Sequence, residues 1–422
     1  MRAPVARLAL AALTAVFLAA CNDTPDRLLA PRASPSKVVI VDRPPPIPVG
    51  SCNPALIICA MTLNVDVSTG NGVTCSVRAS GAAFCWGDNY YGMLGAGVYS
   101  LPETCTPYLT SQLHPCATKP LAVAGGRAFA AISVGADHVC AIEKGTGAGF
   151  CWGAAQAGQL GSPQSVPFLT TPTAVAIPSD DTIPLSFTSI SAGGSSTCGI
   201  TNKSFEYCWG SGFGAPPVRQ TRNSTVSFRS VSTGETSPCA IDLSGNSCKG
   251  FNHPYAFIGQ ATTASHFCQI SASGITECWG TNTFGQLGNA STGGTATQPG
   301  AVSGTVPFQF VSTGAFHTCA LNGGAAFCWG SNRFYQLGIG STSSGSNIPL
   351  AVAVPSGNPQ FTKIAAGGGH TCALDSQGGV WCWGLDDVGQ VGNGGSLTVT
   401  DPNVPPYWAG IAQPVRAANP LQ

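Results

Sequence analysis

A chain of 422 residues with formal net charge zero and only 9% charged side chains, against roughly 25% in an ordinary soluble domain, has no basic stripe to neutralise phosphates, so nucleic acid is excluded as its main partner. A hydrophobic share of 43% is enough for a core and excludes wholesale disorder, while 54 glycines and 32 prolines exclude a fold of long helices.

Taken from the N-terminus, Arg2 and Arg7 precede an apolar run from Leu8 to Ala20 that is too short to span a bilayer and fits a secretory signal. The run ends in Leu18-Ala19-Ala20-Cys21, which resembles the lipobox of bacterial lipoprotein precursors. That resemblance implies cleavage before Cys21 and a lipid on its sulfur; ordinary signal cleavage near Ala20 is the alternative. Residues 1–20 are thus expected as signal and 21–60, with Arg43-Pro-Pro-Pro-Ile-Pro48, as a semi-rigid tether reaching up to about 90 Å. No later segment is long and apolar enough to cross a membrane, so contact with one is expected through the lipid only.

Nineteen cysteines less Cys21 leave eighteen, an even number behind an export signal, and disulfides are the expectation. They fall in sequence-adjacent couples: Cys52-Cys59, Cys75-Cys85, Cys105-Cys116, Cys140-Cys151, Cys198-Cys208, Cys239-Cys248, Cys268-Cys278, Cys319-Cys328 and Cys372-Cys382. No C-x-x-C exists and no histidine keeps a fixed offset in all copies, which argues against zinc.

Seven of the nine couples share one context, and this repeat spans residues 61–416, leaving 417–422 as a tail. A glycine stands five residues before the first cysteine in six copies, from Gly70 to Gly367, and an aliphatic side chain two residues after it in all. Trp-Gly follows the second cysteine in six copies; copy four has Lys249-Gly250. Pairing the two cysteines across an antiparallel hairpin suits disulfide geometry. It also sets Ser76, Ala141, Gly199, Ala320 and Ala373 opposite Phe84, Phe150, Tyr207, Phe327 and Trp381, small against aromatic, on the other face. Each hairpin then has two apolar faces and can bury neither alone, which calls for a radial or linear stack of sheets. Proline-led strands precede most copies, and Pro414-Val-Arg416 follows the last. The expected fold is therefore all-β, a seven-bladed β-propeller whose C-terminal strand completes the first blade, with a disulfide inside each blade. Copies four and five are only 29 residues apart with no proline-led strand between them, so a thin blade is expected there.

The pattern G-x-x-H-T-C-A-L followed by W-C-W-G-x-N-x-x-G-Q-L-G resembles the repeat of the regulator of chromosome condensation family. The resemblance implies a seven-bladed propeller over nearly all of the mature chain; the cysteine couples depart from intracellular members of that family.

No nucleophile elbow, P-loop, EF-hand loop or H-E-x-x-H is present, and neither catalysis nor a cofactor is expected. His138, His266, His317 and His370 share one repeat position, two before the first cysteine, and read as architectural, hydrogen-bonding a neighbouring strand or loop. Asn89, Asn282 and Asn332 read as turn formers, Asp386 and Asp387 as a solvated turn, and Gly293-Gly294 and Ser341 to Ser346 as flexible spacers. The insertion from Gly97 to Lys119 carries Tyr99, Tyr108, Leu109 and His114 and is stapled by Cys105-Cys116. It is either a projecting recognition loop or a loop packed on its own blade. Arg333, Phe334 and Tyr335 form a second candidate patch.

The functional expectation is an exported, lipid-anchored, monomeric binding module that holds an envelope or extracellular protein, peptide or glycan against one face of the disc. An inhibitor of an extracellular enzyme is one form of this. The alternative, nucleotide exchange on a small GTPase, follows from the resemblance and sits poorly with an export signal.

Overall fold

The computed structural model describes residues 63–108, 112–178, 184–220, 227–233, 238–242, 266–271, 273–354, 359–396 and 410–418. Regular structure among them is entirely β-strand, and no helix among them is long and apolar enough to cross a membrane.

Each blade is built from one contiguous stretch of chain. The copy-one sheet holds β1 (Asn64–Thr69), β2 (Val73–Arg78), β3 (Ala83–Asp88), β4 (Glu103–Cys105) and β5 (His114–Ala122) in the order β1-β2-β3-β5-β4. Copy two follows with β6 (Phe129–Val134), β7 (His138–Glu143), β8 (Gly149–Ala154) and β9 (Phe168–Ala174). Copy three has β10 (Phe187–Ala192), β11 (Ser196–Thr201), β12 (Glu206–Gly210) and β13 (Gly214–Arg219). Copy four contributes a two-stranded ladder, β14 (Phe228–Thr233) with β15 (Pro238–Asp242). Copy five supplies β16 (His266–Ile270), β17 (Thr276–Thr281) and β18 (Thr295–Ala301). Copy six runs β19 (Phe310–Thr313), β20 (His317–Asn322), β21 (Ala325–Ser331) and β22 (Gly345–Ala351). Copy seven ends the propeller with β23 (Phe361–Ala366), β24 (His370–Asp375), β25 (Val380–Leu385) and β26 (Gly410–Arg416).

Among the described residues the architecture is an all-β propeller of six blades with three or more strands, not the seven expected. In copy four the described residues form only the β14–β15 ladder. This copy lacks the Trp-Gly that anchors the hairpin elsewhere, and Cys248 lies outside the described residues. Copy five shows three strands, and residues 243–265, on which the expectation of a thin blade falls, lie outside the described residues.

A second expectation is corrected by the sheet order. The proline-led strands β5, β9, β13, β18 and β22 are the outer strands of the blade before them, paired to the Trp-Gly strand of the same copy. The C-terminal strand β26 pairs with β25 and completes the last blade, not the first. Among the described residues no strand crosses the seam between copies seven and one, which is closed by packing.

The hairpin register matches the sequence pattern. Cys75 lies opposite Cys85 and Ser76 opposite Phe84, with equivalent pairs in copies two, three, six and seven. Disulfides join Cys75–Cys85, Cys105–Cys116, Cys140–Cys151, Cys198–Cys208, Cys268–Cys278, Cys319–Cys328 and Cys372–Cys382, each within one blade. The pairs Cys52-Cys59 and Cys239-Cys248, the lipidation site Cys21 and the tether lie outside the described residues. Copy five, which breaks the small-against-aromatic rule, pairs Gln269 with Glu277 through a 2.9 Å hydrogen bond.

Glycine explains why blades can approach so closely. The inner turns of neighbouring blades meet at Gly70, Gly135, Gly193, Gly314 and Gly367, where a methyl on Gly70 would overlap Gly135 O and one on Gly367 would lie 2.5 Å from Gly70 O. The glycine of each Trp-Gly sits at the bulge where the outer strand shifts register, with φ near 100° (103° at Gly87, 99° at Gly384), a region closed to side chains.

Candidate functional site

The seams between blades are one construction repeated. After its Trp-Gly strand each of several copies turns through Gln-Leu-Gly or Gln-Val-Gly toward the next blade, and the glutamine carbonyl receives two donors there. Gln390 O accepts Trp86 Nε1 (3.0 Å) and Thr74 Oγ1 (2.8 Å); Gln286 O accepts Trp329 Nε1 (2.9 Å) and Thr318 Oγ1 (2.8 Å); Gln336 O accepts Trp383 Nε1 (2.9 Å) and Thr371 Oγ1 (2.8 Å). Trp86, Trp329 and Trp383 are fully buried.

With its proton committed to the glutamine carbonyl, each threonine hydroxyl accepts from the histidine of the preceding copy. His370 Nε2 donates to Thr74 (2.9 Å), His266 to Thr318 (2.7 Å) and His317 to Thr371 (2.8 Å). Burial holds these three imidazoles down to about 3, so they are neutral at ordinary pH. His138 differs: it meets Thr197 through Nε2 (2.6 Å) and Asp137 through Nδ1 (3.0 Å). Burial pushes Asp137 up, but hydrogen bonds from His138, Ser195 and Gln159 outweigh it and leave the carboxyl below its usual range. The architectural reading of the four histidines holds. Their threonine partners were not singled out in the sequence, although the signal was there: where one copy has His, the next has Thr, and where copy one has Val73, copy two has Val139.

One face of the disc carries the turns that follow the Trp-Gly strands. Asn89, Asn282 and Asn332 cap these turns by accepting from Leu94 N (3.1 Å), Leu287 N (3.0 Å) and Leu337 N (3.1 Å). Their amides reach on to Tyr99 O (2.8 Å), Ser291 O (3.0 Å) and Ser343 O (2.9 Å). Gly293 N and Ser344 O are likewise bonded to the backbone of Asn282 and Asn332, so the two segments expected as spacers are tied down.

Asp386 takes the asparagine position in copy seven, accepting from Val391 N (3.0 Å), and Asp387 accepts from Gln390 Nε2 (2.8 Å). Both are buried, not solvated as expected, because the turn is pressed against the neighbouring blade. Burial pushes Asp386 up to about 7 and raises Asp387 as well.

The copy-one insertion is neither a free projection nor confined to its own blade. Cys105, Cys116 and Val388 form a small core, Tyr108 N donates to Asp387 Oδ2, and the Tyr108 ring meets Phe334 edge-on at 5.3 Å. The stapled loop therefore lies across copy seven and touches copy six, uniting residues from the two predicted patches. His114 stacks on Tyr90 (4.4 Å) with Nδ1 3.3 Å from Asp88; burial raises the Asp88 carboxyl, the imidazole opposing. Leu109 lies outside the described residues.

Aromatic side chains remain exposed on this face, beside Val98 and Leu113 of the copy-one loop. Tyr91 and Phe284, at the same position of their turns, are 36% and 45% exposed, and Tyr99, at 37%, leans on Phe168 at 5.2 Å. Phe334 fills that position in copy six under Tyr108, and Arg333 beside it is exposed. Tyr335 stands at φ 63°, where Gly92, Gly158, Gly285 and Gly389 occupy the equivalent place. A tyrosine held in the left-handed region is a strained choice.

Among the described residues one group, Cys198, Glu206 and Cys208, places three metal-type donor atoms within 4.8 Å of one another. The two sulfurs are bonded to each other, which leaves the carboxylate alone as a donor.

The model of the "Regulator of chromosome condensation (RCC1) repeat" matches residues 80–142, 146–200, 278–321 and 323–374, and a second RCC1 repeat model matches 361–390. The chain belongs to the RCC1 repeat family. It is 30% identical over 329 residues to the Arabidopsis thaliana "RCC1 domain-containing protein RUG3, mitochondrial", covering 74% of this chain and 67% of that one. Prp20p of Saccharomyces cerevisiae, solved in a study of its binding to Gsp1p and histones, is similar in fold with TM-score 0.62 and 17% identity over 88% of this chain and 90% of that one. The RCC1 matches skip copy four, whose described residues form only a ladder.

Proposed function

We propose that this RCC1-like propeller is a non-catalytic, exported protein, lipid-anchored through Cys21, that docks an envelope or extracellular protein on its turn face. The observation that carries the reading is the group of exposed aromatics Tyr91, Tyr99 and Phe284 on one face, held by buried turn caps. Rigid aromatic anchors at modest entropy cost are what a protein-binding patch needs. The polar groups converging nearby are engaged in caps, seams and the stapled loop, which supports binding over catalysis. Binding to Gsp1p and histones belongs to Prp20p; a formal net charge of zero and an export-type leader make that activity the second reading here.

The test is cross-linked capture from envelope extract with three forms of the chain. These are the parent, a Tyr91→Ser/Tyr99→Ser/Phe284→Ser variant, and a control altered at exposed outer-strand residues, Val218→Ser/Ile348→Ser. A partner lost only with the aromatic variant supports the turn face. A partner retained by that variant, or accelerated nucleotide release from a small GTPase, would replace the reading. Intact mass of the mature chain tests the anchor, since ordinary signal cleavage leaves no diacylglycerol on Cys21.

A further inference from the structure

Among the described residues six hairpin disulfides share a register, yet one has a different neighbour. Two residues before the second cysteine stand Ala83, Gly149, Thr276, Ala326 and Val380 in the other copies, all small or uncharged. In copy three the place is taken by Glu206, which is 0% exposed and opposite Ile200 in the ladder. Its Oε1 lies 3.7 Å from Cys208 Sγ, and its Oε2 has no hydrogen-bond partner.

The surroundings are apolar. On this face β11 contributes Cys198 and Ile200, the following loop Phe213, and β14 Val231. Arg219, on β13, is opposite Tyr207 and lies over the Phe205 ring at 3.5 Å, on the other side of the sheet. No described charged group faces the carboxyl, and burial alone pushes it up to about 8. It therefore carries its proton at neutral pH, beside a sulfur that becomes a thiolate whenever the bond is cut.

From this geometry we propose that Cys198–Cys208 is a reducible disulfide with Glu206 as its built-in proton donor, the one redox-responsive staple among six shared hairpin staples. A thiolate of a small or protein dithiol attacks Cys198 Sγ, the S–S bond breaks, and its electron pair goes to Cys208 Sγ. That sulfur takes the proton of the Glu206 carboxyl. The second thiol of the dithiol, as thiolate, then displaces Cys198 from the mixed disulfide; the dithiol leaves as a disulfide, and solvent reprotonates Cys198 and Glu206. A protonated leaving thiol departs faster than a buried thiolate. Cys198 and Cys208 are both fully buried, with Val231 of β14 packed on them, so the attack proceeds through local opening of this blade.

The test is limiting dithiothreitol on the full chain, with differential alkylation and peptide mapping of each couple. The rate for Cys198–Cys208 is divided by that for Cys319–Cys328 in the same molecule, which cancels the thiolate concentration. The expected ratio is about tenfold or more at pH 6.5, falling toward one as pH passes about 8. In Glu206→Gln it is expected to be near one and flat with pH. A parent ratio near one, a ratio that does not change with pH, or a Glu206→Gln ratio equal to the parent's would each overturn the proposal. The last would mark ease of local opening, not proton donation, as the cause. The parent pH profile stands alone if the variant does not fold.

Discussion

The seam between copies seven and one and the sector around copy four are made from the same repeat, and they differ in how much of it survives. At the seam every element is in place: Trp86 and Thr74 on Gln390, His370 on Thr74, Gly368 N on Gly70 O, and Lys363 paired with Asp66 across the joint. The stapled copy-one loop then lies over it through Tyr108 and Asp387. Around copy four the Trp-Gly is replaced by Lys249-Gly250, the histidine position by Ser237, and the described strands number two. The contrast teaches that ring closure here is a matter of side-chain clamps between blades. The joint where the chain ends meet can therefore be the best made.

The largest effect is expected where the seam has no room. Gly70→Ala puts a methyl into Gly135 O and Val134, both fixed by the next blade, and should cost at least about 3 kcal/mol or abolish folding. Gly212→Ala, whose added methyl meets nothing within 4 Å, should cost about 1 kcal/mol from its φ alone. Equal losses in urea melts would break the claim that close approach sets the glycine ring.

Titration comes next, and the signs oppose. His266, His317 and His370 sit at about 3 when folded, below the ordinary value near 6.5. Their contribution is complete above about 6.5 and is lost as pH falls toward 3. Glu206, at about 8, and Asp386, at about 7, are raised; their contribution is complete below about 4 and is lost as pH rises through those values. Stability should peak between about pH 4.5 and 6.5 and fall steeply below 4. Glu206→Gln should gain on the parent by a few kcal/mol between pH 5 and 8. A Tm difference between the two that stays constant with pH would remove Glu206 from the ledger.

A smaller, sharper test concerns the seam clamp. Thr74→Val strands a buried His370 Nε2–H and should cost about 1–3 kcal/mol. Adding His370→Leu should recover part of it, since the Val73–Val139 junction lacks both groups. Additive losses in the double-mutant cycle would show that His and Thr are not a unit. Smallest is Tyr335→Gly, expected to stabilise by about 1 kcal/mol through release of the left-handed strain while weakening partner capture.

Much of the fold could be read from the chain because its period is short-range. The cysteine register, the small-against-aromatic pairs and the asparagine caps are set within about a dozen residues. What escaped depends on how copies meet. The proline-led strand precedes one hairpin and follows another, and sequence alone does not say to which it pairs. Asp386 and Asp387 look like a solvated turn until a neighbouring blade covers them. Tyr108 finds Asp387 from 279 residues away, a contact no local pattern announces. Thr74, Thr318 and Thr371 were overlooked because their value lies in the copy before, though the alternation of His and Thr between copies records it.

That every blade is cut from one uninterrupted length of chain has a further meaning for how such a molecule can change. Among the described residues no sheet is shared between the first and last units, so adding or deleting a whole unit leaves their ladders intact. The toll falls on two clamps and on the curvature of the circle. The ring's size is then set between blades, by the clamps and the wedge angle they hold, and not within any one sheet.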